Sequence, residues 1–199
     1  MSFLVNSCTL QTLSEELIKN CDPFICDDPD LCEFFAKDFI KYNEDLFGKT
    51  YCFTLDSDPK KIICAFTIAN DSIKARKIPK SDRNRITRKI SNNKIGLKSY
   101  PAVLIGRLGV NIDFEGQGIG KELMEFIKSW FIDSNNKTGC RFLVVDSYNK
   151  ERPIRYYQKN GFKFIFKDQE EEKIYSGIIT DEPLNTRLMS FDLIVISKN

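Results

Sequence analysis

Leu108-Gly-Val-Asn-Ile-Asp-Phe-Glu-Gly-Gln-Gly-Ile-Gly120 is the stretch on which the fold turns. A strongly apolar run, 101–110, enters it. Beyond it, Ile119, Leu123, Phe126, Ile127, Trp130 and Phe131 recur at helical spacing and mark one helix face. The order is therefore strand, glycine-rich turn, helix. Glycines let a backbone approach a ligand closely, and the amides that open a helix attract phosphate. Known nucleotide motifs do not fit. A P-loop needs Gly at 115 and Ser or Thr at 122, where Glu115 and Glu122 stand. A dinucleotide fingerprint needs Gly at 121 or 123, which are Lys121 and Leu123. A tight turn with no ligand is the plain alternative.

Working outward, the Asp28-Pro29-Asp30 start signal and the spacing of Leu31, Phe34, Phe35, Phe39, Tyr42 and Leu46 predict a helix over 28–47, closed by Gly48. A shorter helix is predicted at 12–20. TYCFTL (50–55) and KIICAFTIA (61–69) read as a hairpin around Asp56-Ser57-Asp58-Pro59. CRFLVVD (140–146) has the composition of a strand buried on both faces. A helix over 151–159 ends at Asn160-Gly161, and strands are expected at 162–166 and 187–196. The acidic segment 168–182 reads as hairpin-like. With no repeat and no low-complexity linker, these elements predict one mixed α/β domain over 1–199.

The 199 residues include no histidine. Ser-His-Asp and Cys-His catalysis, His-ligated zinc and imidazole acid–base chemistry are excluded. Seven cysteines form no CxxC pair, so free thiols in a reducing cytoplasm are expected, with no metal site. The N-terminus shows no signal-peptide pattern, and no stretch approaches the roughly 18 apolar residues of a membrane helix. Net charge is only +2, yet residues 74–98 hold ten Lys/Arg against Asp82 alone. This basic insertion, about 71–99, reads either as a solvated surface or as a patch for a polyanion, with Lys80, Arg83, Arg85, Arg88 and Lys89 displayed around a short helix.

Residues 108–120 resemble the acetyl-CoA motif of the GNAT acetyltransferases, Q/R-x-x-G-x-G/A between a strand and a helix. Y-N-K-E-R-P-I-R-Y-Y-Q-K-N-G-F (148–162) resembles the second signature of that family. The resemblance implies a GNAT fold: a central twisted, mostly antiparallel sheet flanked by helices, whose strands four and five splay apart around CoA. It implies that the backbone of Leu108 and Val110 pairs with the acetyl-pantetheine arm. The amides of Glu115, Gly116, Gln117, Gly118, Ile119 and Gly120 hold the pyrophosphate, aided by Lys121. Asn149 contacts the pantetheine or lies beside it, and Tyr157 is the general acid. Glu115 departs from the family pattern, since a carboxylate replaces the usual Arg or Gln and works against the pyrophosphate.

Residues 24–35, the basic insertion and 100–110 further resemble the toxin-type GNAT subgroup. This resemblance implies acetylation of the α-amine of aminoacyl-tRNA, an antitoxin partner and a possible homodimer. An α-amine (pKa about 8) needs less help to lose its proton than a lysine (about 10.4), which suits a chain without histidine. Two other readings stay open: acetylation of a small-metabolite or protein amine, and a non-enzymatic RNA- or partner-binding module on a degenerate scaffold.

Overall fold

The computed structural model describes residues 2–87 and 97–197. Helix α1 (Phe3–Ser7) leads into strand β1 (Cys8–Thr12), and α2 (Glu15–Asn20) follows with Ser14 as its cap. The helix predicted behind the Asp-Pro signal is present in three pieces. Asp28 caps the amides of Asp30 and Leu31, and Pro29 occupies the first turn, where its missing N–H costs nothing. After α3 (Pro29–Glu33) the backbone widens into a π-helical turn, Phe34–Asp38, and resumes as α4 (Phe39–Glu44). Gly48 lies beyond the helix end rather than at it. Its reason is a close approach: a Cβ there would stand 2.5 Å from the Tyr42 hydroxyl and 2.7 Å from the Ile68 carbonyl.

β2 (Lys49–Leu55) and β3 (Asp58–Ile73) form the expected hairpin about Asp56-Ser57. There follow α5 (Lys80–Thr87), β4 (Tyr100–Val110), α6 (Ile119–Ile132), β5 (Phe142–Tyr148), α7 (Glu151–Lys159), β6 (Lys163–Phe164), α8 (Gln169–Ser176), β7 (Thr186–Asp192) and α9 (Ile194–Ser197). Three expectations differ. The acidic segment holds a helix where a hairpin was expected: Asp168 accepts the Glu171 amide, acidic residues fill the first turn, and Gly177 ends it at φ 69°. The last strand stops at Asp192, whose carboxylate accepts the Ile194 amide and starts α9. The strand at 162–166 shortens to Lys163–Phe164.

The chain divides into two compact units. The first comprises residues 1–69 and 105–129. Its strands lie in the order β1-β2-β3-β4, the first two pairings antiparallel. Leu13, Phe24, Phe35, Phe39, Cys52, Ile62 and Ala65 form a buried cluster. From α6, Leu123, Met124 and Ile127 are fully buried, and Phe126 meets Phe53 edge-to-face at 5.0 Å. Burying each such side chain contributes about 1.5–3 kcal/mol.

The second unit comprises residues 70–104 and 130–199. Here the start of β4 pairs in parallel with β5, Ala102–Leu104 against Phe142–Val144. β7 runs antiparallel to β5 from Phe142↔Asp192 to Tyr148↔Thr186, and β6 completes the order β4-β5-β7-β6. Phe142, Leu143, Val144 and Val145 are all buried, as the unbroken apolar run requires of a strand covered on both faces. The architecture is mixed α/β, with mostly antiparallel strands and one parallel pairing.

Candidate functional site

In the first unit, β4 is tied to β3 before it reaches the glycine-rich turn. The Arg107 amide donates to Thr67 Oγ1 at 2.9 Å, and the Asn111 amide to the Ile63 carbonyl at 2.8 Å. Asn111 is the fastening of the turn. Its Nδ2 donates to the Ile62 carbonyl at 2.9 Å, while its Oδ1 accepts the Asp113 amide at 3.1 Å and caps the 3-10 turn Ile112–Phe114. Leu108 and Val110 are half-buried on the strand. The Glu115 amide closes the 3-10 turn on the Ile112 carbonyl at 3.2 Å, so it is already engaged.

Gly116 and Gly118 take φ values of 75° and 86°, and no atom lies within 4 Å of where a Cβ would sit on either. This is a left-handed backbone opening onto free space at the start of α6, whose first-turn amides have no intrahelical acceptor. The residues present fit a bound pyrophosphate. Gln117 folds back, its Nε2 donating to the Asp113 carbonyl at 3.0 Å. Ile119 is buried and anchors the helix start. Lys121 pairs loosely with Glu125 at 3.7 Å, both largely exposed. Glu115 is exposed, so water screens its charge. Glu122, which breaks the P-loop pattern, accepts hydrogen bonds from Ser2 Oγ and the Leu4 amide, both at 2.9 Å, and docks α1.

The other predicted residues lie in the second unit. Tyr157 is half-buried on α7, edge-to-face with Tyr156 (5.0 Å) and Phe162 (5.4 Å). Burial raises its phenol pKa well above the ordinary value, so the hydroxyl keeps its proton at neutral pH. Asn149 is a clamp: its Nδ2 donates to the Leu184 carbonyl at 2.8 Å and to Gln169 Oε1 at 3.3 Å, and its amide donates to the Asn185 carbonyl.

On α5, Lys80 is exposed and Arg83 half-buried. Arg85 is committed to the fold. Its Nη2 donates to the carbonyls of Phe164 (3.1 Å) and Ile165 (2.7 Å) and pairs with buried Asp82 at 3.0 Å. Arg88 and Lys89 lie outside the described residues.

Sequence reasoning missed a cavity of about 290 Å³ in this unit, lined among others by Asp71, Lys74, Lys77, Asp146, Tyr175 and Leu188. Crowding of the Asp146 carboxyl, with the charge of Asp71 second, raises its pKa above the usual carboxylate range. No sequence pattern joins these residues, because β3, β5, α8 and β7 supply them separately. Among the described residues no cluster of metal-ligating side chains occurs, all seven cysteines are free, and no helix is long and apolar enough to cross a membrane.

Residues 84–164 match the family model described as the acetyltransferase (GNAT) domain. Among solved structures, the chain is similar to AtaT complexed with acetyl-methionyl-tRNAfMet, at 16% identity over 96% of this chain and 98% of that one, with a TM-score of 0.68. It is similar to a tyrosine-to-phenylalanine mutant of KacT, at 16% identity over 97% and 99%, TM-score 0.68. It is also similar to AtaTR bound with acetyl-CoA, at 16% identity over 97% and 98%, TM-score 0.65. Likeness at this identity is likeness of fold.

Proposed function

We propose that this chain, which carries an acetyltransferase (GNAT) domain, moves the acetyl group of acetyl-CoA to a primary amine, the α-amine of aminoacyl-tRNA. The observation that carries the reading is the strand–turn–helix of the first unit, with Gly116 and Gly118 in left-handed conformations at the start of α6. Neighbours of the same fold, one complexed with acetyl-methionyl-tRNAfMet and one bound with acetyl-CoA, support it.

When bound, acetyl-CoA supplies an activated thioester. In this reading the backbone of Leu108 and Val110 orients its pantetheine arm. The amides from Gly116 to Gly120 hold the pyrophosphate, the Glu115 amide being spent on its own turn. Lys121 offsets the Glu115 charge. Asn149 positions the 184–185 segment beside the arm. The Tyr157 hydroxyl holds the proton that the departing sulfur needs. An α-amine, with a pKa of about 8, sheds its own proton readily enough to attack.

Lys80 and Arg83, with Arg88 and Lys89, serve tRNA phosphates, while Arg85 holds the fold. Free thiols fit a reducing cytoplasm. An antitoxin as partner, and a homodimer, belong to the same reading; one neighbour is AtaT bound to the C-terminus of the antitoxin AtaR.

Incubation with acetyl-CoA and charged tRNA, followed by detection of the acetylated aminoacyl adduct, tests it. Modification of polyamines or peptides alone refutes it. The cavity lined by Asp71 and Asp146 favours a second reading, a small ammonium-bearing acceptor, which the same assay separates by substituting small amines for charged tRNA.

A further inference from the structure

Cys26 and Cys32 bracket the acidic turn C-D-D-P-D-L-C. Their sulfurs lie 3.0 Å apart. The Cys26 amide donates to the Cys32 sulfur at 3.0 Å, and the Cys32 thiol donates to the Cys26 carbonyl at 3.2 Å, so the two are held face to face by each other's backbone. Asp28 fixes the turn between them by capping α3 and by accepting the Cys26 thiol on its carbonyl at 3.4 Å. The pair is asymmetric. Cys26 is 8% exposed, whereas Cys32 is half-buried and reachable from solvent. The other thiols are placed differently. Cys52 and Cys64 are wholly buried in the sheet, Cys21 donates weakly to the Pro59 carbonyl, and Cys140 is turned onto the Phe142 carbonyl at 2.9 Å.

We infer that Cys26 and Cys32 form a reversible thiol–disulfide site whose oxidant is a hydroperoxide. The Cys32 thiolate attacks the peroxide. A sulfur–oxygen bond forms, the oxygen–oxygen bond breaks, and the departing oxide takes up the Cys32 proton as the first water. Cys26 then gives up its proton and attacks the Cys32 sulfur. The sulfur–sulfur bond forms, the sulfur–oxygen bond breaks, and hydroxide leaves with the Cys26 proton as the second water. Two thiols lose two electrons, and one peroxide gains them. Burial pushes the Cys26 thiol up to about 12, which suits the partner that reacts second.

The site matters because of what lies next to it. Phe24 packs under β4, its ring 3.3 Å from where a Cβ on Gly109 would sit. The Ile25 carbonyl accepts the Ile112 amide at 2.8 Å, at the first residue of the turn that leads to the glycines. A Cys26–Cys32 bond therefore fixes the segment on which that turn is hung.

The full-length protein is treated with hydrogen peroxide, blocked with N-ethylmaleimide, digested and weighed. The expected product is a linked Cys26–Cys32 peptide, lighter by two hydrogens and restored by dithiothreitol. Cys26→Ala and Cys32→Ala each abolish it. The linked protein melts higher by roughly 5 °C. Calorimetric titration with CoA shows a Kd shifted by about twofold or more between reduced and oxidised protein, the size of a small coupling between sites. Full alkylation of both thiols after peroxide, or a Cys32 sulfinic acid beside a free Cys26, overturns the site. A linked peptide with unchanged Kd overturns the link to the turn. Failure of the reduced protein to bind CoA refutes the acetyltransferase reading and leaves the disulfide result standing.

Discussion

Arg187 Nε donates to Glu172 Oε2 at 2.7 Å, with the two side chains only 10% and 5% exposed. The second Glu172 oxygen accepts the Leu188 amide, so one carboxylate fastens α8 to β7. The guanidinium also lies 4.5 Å from the Phe164 ring centroid. Removing one partner leaves a buried charge uncompensated. Arg187→Met should therefore cost about 3–5 kcal/mol and lower Tm by roughly 10 °C in a thermal melt. Burial outweighs the Arg187 hydrogen bond and raises the Glu172 pKa. The folded state thus holds this proton more tightly than the unfolded chain does. That contribution is fully present below the ordinary carboxylate pKa and is lost as pH rises through the raised value. Melts taken from pH 4 upward should show this decline in the wild type and lack it in Glu172→Gln.

Tyr157 keeps its proton at neutral pH and touches two aromatic rings. Tyr157→Phe should preserve both ring contacts and remove the hydroxyl alone. Turnover should fall by about 100-fold, the low end of what a positioned acid contributes, with CoA affinity unchanged by calorimetry. Unchanged turnover sinks the assignment.

Glu115 is the departure from the acetyl-CoA motif, and it is exposed. A screened carboxylate near a pyrophosphate opposes binding by about 1 kcal/mol. Glu115→Gln should tighten CoA binding by about fivefold in low-salt buffer, and the gain should shrink as salt is added. A gain indifferent to salt would contradict an electrostatic origin.

Gly116 and Gly118 have open space around them, so an added methyl group meets nothing. Only the left-handed backbone resists it, at about 1–2 kcal/mol per site. Gly116→Ala and Gly118→Ala should fold and melt a few degrees lower, while losing CoA affinity by more than the same change at Gly139, which also has open space but lies outside the turn.

Charge reversal separates the basic residues of α5. Lys80→Glu should leave Tm unchanged and flatten the salt dependence of tRNA binding. Arg85→Glu should lower Tm, because it removes the hydrogen bonds to the Phe164 and Ile165 carbonyls and places a carboxylate beside Asp82.

Much of this was readable from the residues. Leu31, Phe34, Phe35 and Phe39 announced their helix by spacing, and Phe142–Val145 their buried strand by composition. Helix α8 was readable too, from Asp168, the acidic first turn and Gly177, but its charge density masked those signals. Strand β1 was not. Cys8–Thr12 alternates weakly, and its pairing with Leu55–Tyr51 is made across the fold. The roles of Asn111, Asn149 and Arg85 were equally hidden, since each holds backbone carbonyls far away in sequence. A side chain's partner at such separations leaves no local pattern.

The wide turn at Phe34–Asp38 has a consequence for the molecule's tolerance of change. A π-helical turn accommodates one residue more than an α-helical turn would. Phe34, Phe35 and Phe39 are all buried across it, while Ala36, Lys37 and Asp38 face solvent. The extra residue thus works as a phase correction between the α3 and α4 faces. Substitution at Ala36 leaves that phase intact. Deletion of Ala36 would turn everything from Phe39 onward by about 100°, one residue's share of a 3.6-residue turn, and swing an aromatic side chain out of the core.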